Sequence, residues 1–283
     1  MAAHIEASSP NQFNGDLESQ IIKKKLLDLK KSEVDQVLQE MEDKLKFYED
    51  IVDIDTLVKH QVPMGSNYLT DWNFCSLDLT TKLDKVCVVR DIFNHYSFFS
   101  KFDIKEQVFL RFMWEVGYFY TRHKNPFHNF AHGINVIHSG FYLLWKYPKF
   151  ANVMNEEQRF GFLISCLAHD LDHRGKTNMF EVVMKTDLAL TYNDISPLEQ
   201  HHAAVLFKIL SVKNMNIMHA IKDEKWRQLK KEMVENILAT DMKSHFSMLT
   251  KFKQQLLTNA SFGTQSPCGE QDRQLICSHF IHF

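Results

Sequence analysis

The sequence predicts an all-α fold, and three observations carry that prediction. The 283 residues include only 9 glycines and 6 prolines, less than half of the about 12% that average usage would give, so long helices are favoured over many short strands. Apolar residues recur at helical spacing through most of the chain beyond Trp72. Helix start signals precede several of those stretches.

Residues 1–16, MAAHIEASSPNQFNGD, are small and polar and read as a disordered tail. From Leu17 to Leu57 the chain is charged, with Leu27, Val34, Leu38, Met41, Leu45, Tyr48 and Val52 at heptad-like spacings. This is a long amphipathic helix or helix pair, suited either to dimerising as a coiled coil or to packing on its own domain. A turn at Pro63–Ser66 closes this second segment, 17–67, and a compact unit spanning 68–283 begins with Trp72, Phe74 and Leu77.

Within that unit Asp103 and Glu106 form a capping-box pattern for a helix whose Val108, Phe109, Phe112, Met113, Val116, Phe119 and Tyr120 make a broad core face. Asn125-Pro126 interrupts the pattern, and a helical one resumes from Phe127 to Tyr147. The apolar run Phe160–Ala168 is far shorter than the roughly 20 residues of a membrane span and reads as a buried helix. Ser196, Pro197 and Glu199 occupy N-cap, N1 and N3 of a helix that runs to about Ser211, again as a capping box. Trp226, Leu229, Met233 and Ile237 stripe the next helix, with the Lys222–Lys231 charges on its solvated face. A turn-rich loop, Thr258–Glu270, precedes a last helix from Asp272 to Phe283.

With 45% hydrophobic and 24% charged residues and a formal charge of -2, the composition is that of a soluble globular protein and suggests no nucleic-acid partner. The five cysteines (Cys75, Cys87, Cys166, Cys268 and Cys277) are scattered and form no C-x-x-C pair, which fits a reducing, cytoplasmic setting. The N-terminus has no apolar signal-peptide core. The 15 histidines are the stronger hint, since imidazole is both a metal ligand and an acid or base near neutral pH.

Four segments collect the chemistry. In F-H-N-F-A-H, His128 and His132 are four apart and would share a helix face. In H-D-L-D-H-R-G, His169 to Gly175, two carboxylates and two imidazoles end a buried helix, so they must pair with one another or bind a cation. His169 and Asp170 offer a nitrogen and an anionic oxygen, a donor mix that suits zinc, manganese or iron, and a carboxylate also suits magnesium. Asp172 and His173 have a simpler structural reading as a helix cap. E-Q-H-H, Glu199 to His202, adds histidines suited to a shell around metal-bound water. A-T-D-M-K-S-H-F places Thr240, Asp241 and His245 in mid-helix.

In order and spacing these segments closely resemble the catalytic domain of class I 3',5'-cyclic nucleotide phosphodiesterases. The resemblance covers about Trp72 to Phe283 and includes N-P-F-H-N from Asn125, H-D-L-D-H-R-G, Y-N-D from Tyr192, L-E-Q-H-H from Leu198 and A-T-D-M. It implies a compact multi-helix bundle of the phosphodiesterase and HD-domain type around two divalent ions, zinc with magnesium or manganese. Carried over by motif, His128 is the general acid and His132, His169 and Asp170 are metal ligands, Asp170 also bridging to the second ion. His173, Glu199, His202, Thr240 and Asp241 then orient the waters around the ions, while Phe127 and Met242 lie toward the nucleotide. Phe127 stands where the family usually has Tyr.

The implied reaction is attack of a metal-activated hydroxide on the phosphorus of cyclic AMP or cyclic GMP, His128 protonating the 3' oxygen, to give the 5'-nucleotide. The chain stops at Phe283, just short of a further metal-ligating Asp of the family and of its purine-recognising glutamine and hydrophobic clamp. Little or no turnover is therefore expected of this chain as written, with a longer parent as the active species. Two other readings are a hydrolase of another nucleotide, of the wider HD type, and a catalytically silent isoform that dimerises through the helix 17–57.

Overall fold

Thr81 and Asp84 open the first long helix beyond residue 53 by bonding each other's backbone N–H groups, a capping box that fixes where α1 (Lys82–His95) begins. The computed structural model describes Lys24, residues 31–39 and 41–44, Phe47, residues 53–259, Phe262 and residues 269–282, and every regular element among them is helical. Seven more long helices follow α1. They are α2 (Glu106–Thr121), α3 (Phe130–Lys146), α4 (Glu156–Ala168), α5 (Pro197–Ser211), α6 (Asp223–Leu238), α7 (His245–Thr258) and α8 (Glu270–His282). None is long and apolar enough to cross a membrane.

The chain divides into two units, residues 1–51 and 52–283. In the first, residues 31–39 and 41–44 are helical, and Val34, Val37, Leu38 and Met41 are each more than half exposed. The expected tail at 1–16, and Leu27, Leu45, Tyr48 and Val52 of the apolar stripe, lie outside the described residues.

The second unit starts with a separate short helix, Ile54–Lys59, because Asp53 is extended and caps it. Leu57 of this helix is buried, and Arg90 of α1 donates to the carbonyls of Leu57 and His60. His60 also pairs with Asp84 at 2.6 Å. The following segment lies along α3: Phe74 stacks on His138 with ring centroids 4.0 Å apart, and Ser76 bonds Asn135 and the Ala131 carbonyl.

In this unit α4 packs between α3 and α6, while α2 meets α1, α3 and α5. Residues Phe112–Tyr118 of α2 are all buried, so its apolar face has become a whole circumference. Phe160 of α4 anchors the aromatic core. It stacks on Phe102 at 4.8 Å and meets Phe93 edge-on at 5.4 Å. Each such ring contributes about 1.5–3 kcal/mol by leaving water. Two glycines let α3 approach its neighbours. A Cβ on Gly133 would lie 2.9 Å from the Tyr120 ring and 3.2 Å from the Leu167 carbonyl oxygen, and one on Gly140 would lie 2.9 Å from Cys166 Sγ.

Both predicted capping boxes take another form. Asp103 adopts φ 48° and α2 begins only at Glu106, with Lys105 at the N-cap and no side-chain cap. Helix α5 has Ser196 at its N-cap and ends at Ser211 as expected, but Ser196 is left-handed, φ 43°, and its hydroxyl donates to Asp241. Asn178 supplies the missing cap, its Oδ1 accepting from the Leu198 N–H at 3.0 Å.

Candidate metal centre and active-site cleft

The buried helix α4 ends at Ala168, and the polar run that follows turns its side chains to two sides. His169 and Asp170 face a cleft of about 730 Å³ that His128, His132, His173, Glu199, Thr240, Asp241 and Met242 also line. Asp172, at φ 66°, faces away from it into an ion-pair cluster. Arg122 bonds both of its oxygens, and His123 and His201 add bonds of 2.9 and 2.7 Å.

His132 comes from the first turn of α3, which Asn129 caps by accepting from the Ala131 and His132 N–H groups. His132 Nε2 lies 3.0 Å from His169 Nε2 and 3.1 Å from Asp170 Oδ2, and His169 Nε2 lies 3.1 Å from that same oxygen. This is the one group of three or more His, Cys, Asp or Glu residues, among those described, whose ligand atoms converge as for a metal. His169 Nδ1–H donates to the Cys166 carbonyl at 2.9 Å, so its neutral ring turns the Nε2 lone pair inward. The donor chemistry fits a bound cation: two imidazole nitrogens and a carboxylate, with room in the cleft for water or substrate.

Charge at the centre follows from these contacts. Burial works against the Asp170 carboxylate, but the bonded His169 and His132 imidazoles and His202 hold it well below the usual carboxylate range. His169 is raised in turn, because Asp170 outweighs the effect of burial. Burial lowers His128, with Asp170 only partly compensating. His202, at 1% exposure, is pushed down to about 3 by burial and donates from Nδ1 to the Leu171 carbonyl.

His128 is not on the helix with His132, as the spacing suggested. It precedes the Asn129 cap, 3.9 Å by Nε2 from Asp170 Oδ2, with its ring stacked on His173 at 4.0 Å. Burial lowers His173 too, and its Nδ1 accepts from the Gly175 N–H. Glu199 accepts from Asn178 Nδ2 at 2.8 Å, and burial raises it, aided by the charges of Asp241 and Asp170. Thr240 and Asp241 are likewise not in mid-helix. Helix α6 ends at Leu238, Thr240 donates to the Ile237 carbonyl, and Asp241 is extended and caps a 3-10 turn, Met242–Ser244. Met242 is exposed at the cleft, and Phe127 is exposed with its ring 4.9 Å from that of His132.

Several site residues escape a reading of the sequence. Asn125, read as a helix break, donates to the carbonyls of His173 and His128 and so ties the two histidine loops together. Tyr120, read as core, donates to the Leu167 carbonyl and accepts from the Asp170 N–H at 3.3 Å. Trp72, Phe280 and His282 line the cleft as well.

The profile of the 3'5'-cyclic nucleotide phosphodiesterase family matches residues 127–283, more than half of the chain and all four polar segments. The chain belongs to that family. Among relatives of known name, the 3',5'-cyclic-nucleotide phosphodiesterase regA of Dictyostelium discoideum is 36% identical over 198 residues, 70% of this chain and 24% of the relative. The Drosophila melanogaster dual specificity calcium/calmodulin-dependent 3',5'-cyclic nucleotide phosphodiesterase 1 is 34% identical over 193 residues, 67% of this chain and 23% of the relative. The chain thus spans about a quarter of the length of these curated relatives. Among solved structures, the phosphodiesterase domain of the RhoPDE fusion protein from the choanoflagellate Salpingoeca rosetta superposes with a TM-score of 0.70 at 29% identity, covering 81% of this chain and 68% of that one. Among the described residues the fold is all-helical, as the sequence predicted.

Proposed function

We propose that the cleft binds a 3',5'-cyclic nucleotide, cyclic AMP or cyclic GMP, and opens its cyclic phosphodiester to give the 5'-nucleotide. The observation that carries this reading is the convergence of His132 Nε2, His169 Nε2 and Asp170 Oδ2 within one cleft, with His128 beside them. The names of the relatives, which include dual-specificity and cGMP-specific enzymes, support both bases.

His132, His169 and Asp170 would hold a zinc-like ion, and Asp170 would reach a second, magnesium or manganese. Such ions supply Lewis acidity toward the phosphoryl oxygens and an activated water. His128, 3.9 Å by Nε2 from Asp170 Oδ2, would supply a ring proton to the departing 3' oxygen. His173 fixes the plane of that ring by stacking on it. Glu199, Thr240 and Asp241 orient water at the cleft wall, with His202 buried behind Asp170, its Nε2 3.7 Å from Asp170 Oδ1, while Phe127 and Met242 flank the nucleotide. The exposed apolar stripe Val34, Leu38 and Met41, at heptad-like spacing, supports a homodimer through the amphipathic helix.

Phosphorus NMR tests the reaction. Protein supplied with zinc and magnesium is expected to convert cyclic AMP or cyclic GMP, even slowly, to the 5'-monoester, and Asp170→Asn to lose both zinc and conversion. A 3'-monoester product, or unchanged zinc content and rate in that variant, would overturn the assignment.

A further inference from the structure

The part of the cleft wall from Thr240 to Met242 hangs between two helices. Ala239 is the C-cap of α6 and His245 begins α7, and the five residues between them, Thr240–Ser244, carry Asp241 and Met242 into the cleft. One side chain touches both ends of this turn. His282, in the last turn of α8, lies with Nδ1 2.5 Å from the Ala239 carbonyl oxygen and with Nε2 2.8 Å from His245 Nδ1.

These contacts fix where the protons are. A carbonyl oxygen can only accept, so His282 Nδ1 must carry a hydrogen. In a neutral ring its Nε2 is then the acceptor, and His245 Nδ1 must be the donor. The order Ala239 C=O ← His282 ← His245 is directional, and either opposite tautomer would set two donors or two lone pairs against each other.

We propose that His282 is a positioning residue, a single imidazole that clamps both ends of the turn Thr240–Ser244 and so holds Asp241 and Met242 in place against the nucleotide. The clamp joins three helices, α6, α7 and α8, at the cleft wall. A third anchor, the Ser196 hydroxyl on Asp241 at 2.7 Å, secures the same turn to the start of α5. Fixing both ends of a short segment before a ligand arrives lowers the ordering cost of binding. The inference rests on the reading of the cleft as a nucleotide site.

Two measurements test it on the full chain. Long-range proton–nitrogen correlation spectra of histidine-labelled protein, at a pH above the ordinary imidazole range, are expected to show His245 and His282 both with hydrogen on Nδ1. An Nε2–H tautomer at either residue overturns the clamp. Calorimetric titration of 5'-AMP into zinc-loaded protein is expected to give about tenfold weaker binding for His245→Phe and His282→Phe, with zinc content unchanged. His245 is not among the residues lining the cleft, so its loss acts through the turn. Binding equal to wild type in His245→Phe overturns the proposal. Should His282→Phe fail to fold, His282→Asn, which can still donate to Ala239 but does not reach His245, is expected to weaken binding likewise. Failure of the wild-type chain to bind 5'-AMP counts against the nucleotide site itself, and the tautomers still decide the clamp.

Discussion

Arg122 grips Asp172 as a fork on a carboxylate, Nε 2.5 Å from one oxygen and a terminal nitrogen 2.8 Å from the other. Two residues earlier in the same polar run Asp170 turns to the cleft, so alternate carboxylates of H-D-L-D-H serve different ends. Burial alone would raise Asp172, but bonds from His123 and His201 and the charge of Arg122 hold it far below the usual carboxylate range.

Breaking this cluster should cost stability. Asp172→Asn removes the charge that Arg122, 27% exposed by its side chain, was folded around, and a loss of about 3 kcal/mol is expected. Urea unfolding at neutral pH checks it as a lower midpoint at unchanged slope. A midpoint equal to wild type would show the fork to be dispensable.

His202 predicts an acid limb in the stability curve. Its folded value is depressed to about 3, while an unfolded histidine titrates near about 6.5. Between these values the unfolded chain binds the extra proton, so stability falls as pH drops from about 6.5 toward 3. Thermal unfolding of the metal-free protein across that range should give a falling melting temperature, and His202→Gln should flatten the slope. A slope that His202→Gln leaves unchanged would place the proton uptake elsewhere.

His128 and Asp170 should separate kinetically. In a preparation that turns over, His128→Gln is expected to slow hydrolysis by about 10²–10⁴-fold and to keep its zinc, because His128 Nε2 stands 3.9 Å from Asp170 and outside the converging triad. Metal analysis beside initial rates makes the distinction. Loss of zinc in His128→Gln would move that residue into the ligand set.

The amphipathic helix gives a prediction about mass. Leu38→Glu and Met41→Glu put charge on a stripe that is more than half exposed in the single chain. Sedimentation velocity should find wild type as a concentration-dependent dimer and the double variant as a monomer. Identical sedimentation of the two would leave the stripe without a self-partner.

The sequence made the helices legible where apolar residues recur or run together, as in the run Phe160–Ala168, where every residue is buried. His169 and Asp170 were legible because a buried helix cannot end in unpaired charge. The misplaced residues have two causes, one local and one not. His128 fits the helical spacing to His132, but Asn129 is a strong N-cap residue and starts the helix after it. Ser196 and Glu199 fit a capping box, yet each had a nonlocal partner, Asp241 and Asn178, 45 and 21 residues away. Local patterns report local bonds, and this cleft is closed by bonds between segments far apart in sequence.

Gly133, next in the chain to His132, bears on the candidate metal site without touching it. Its missing methyl lets α3 lie against the Tyr120 ring and the Leu167 carbonyl, and Leu167 stands two residues before His169. The helix that carries one of the two imidazole nitrogens, 3.0 Å apart, thus owes its close approach to a residue with no functional group. A single added carbon there would act as a wedge between α3 and the Tyr120 ring and Leu167 carbonyl, displacing His132 while leaving every polar side chain of the site intact.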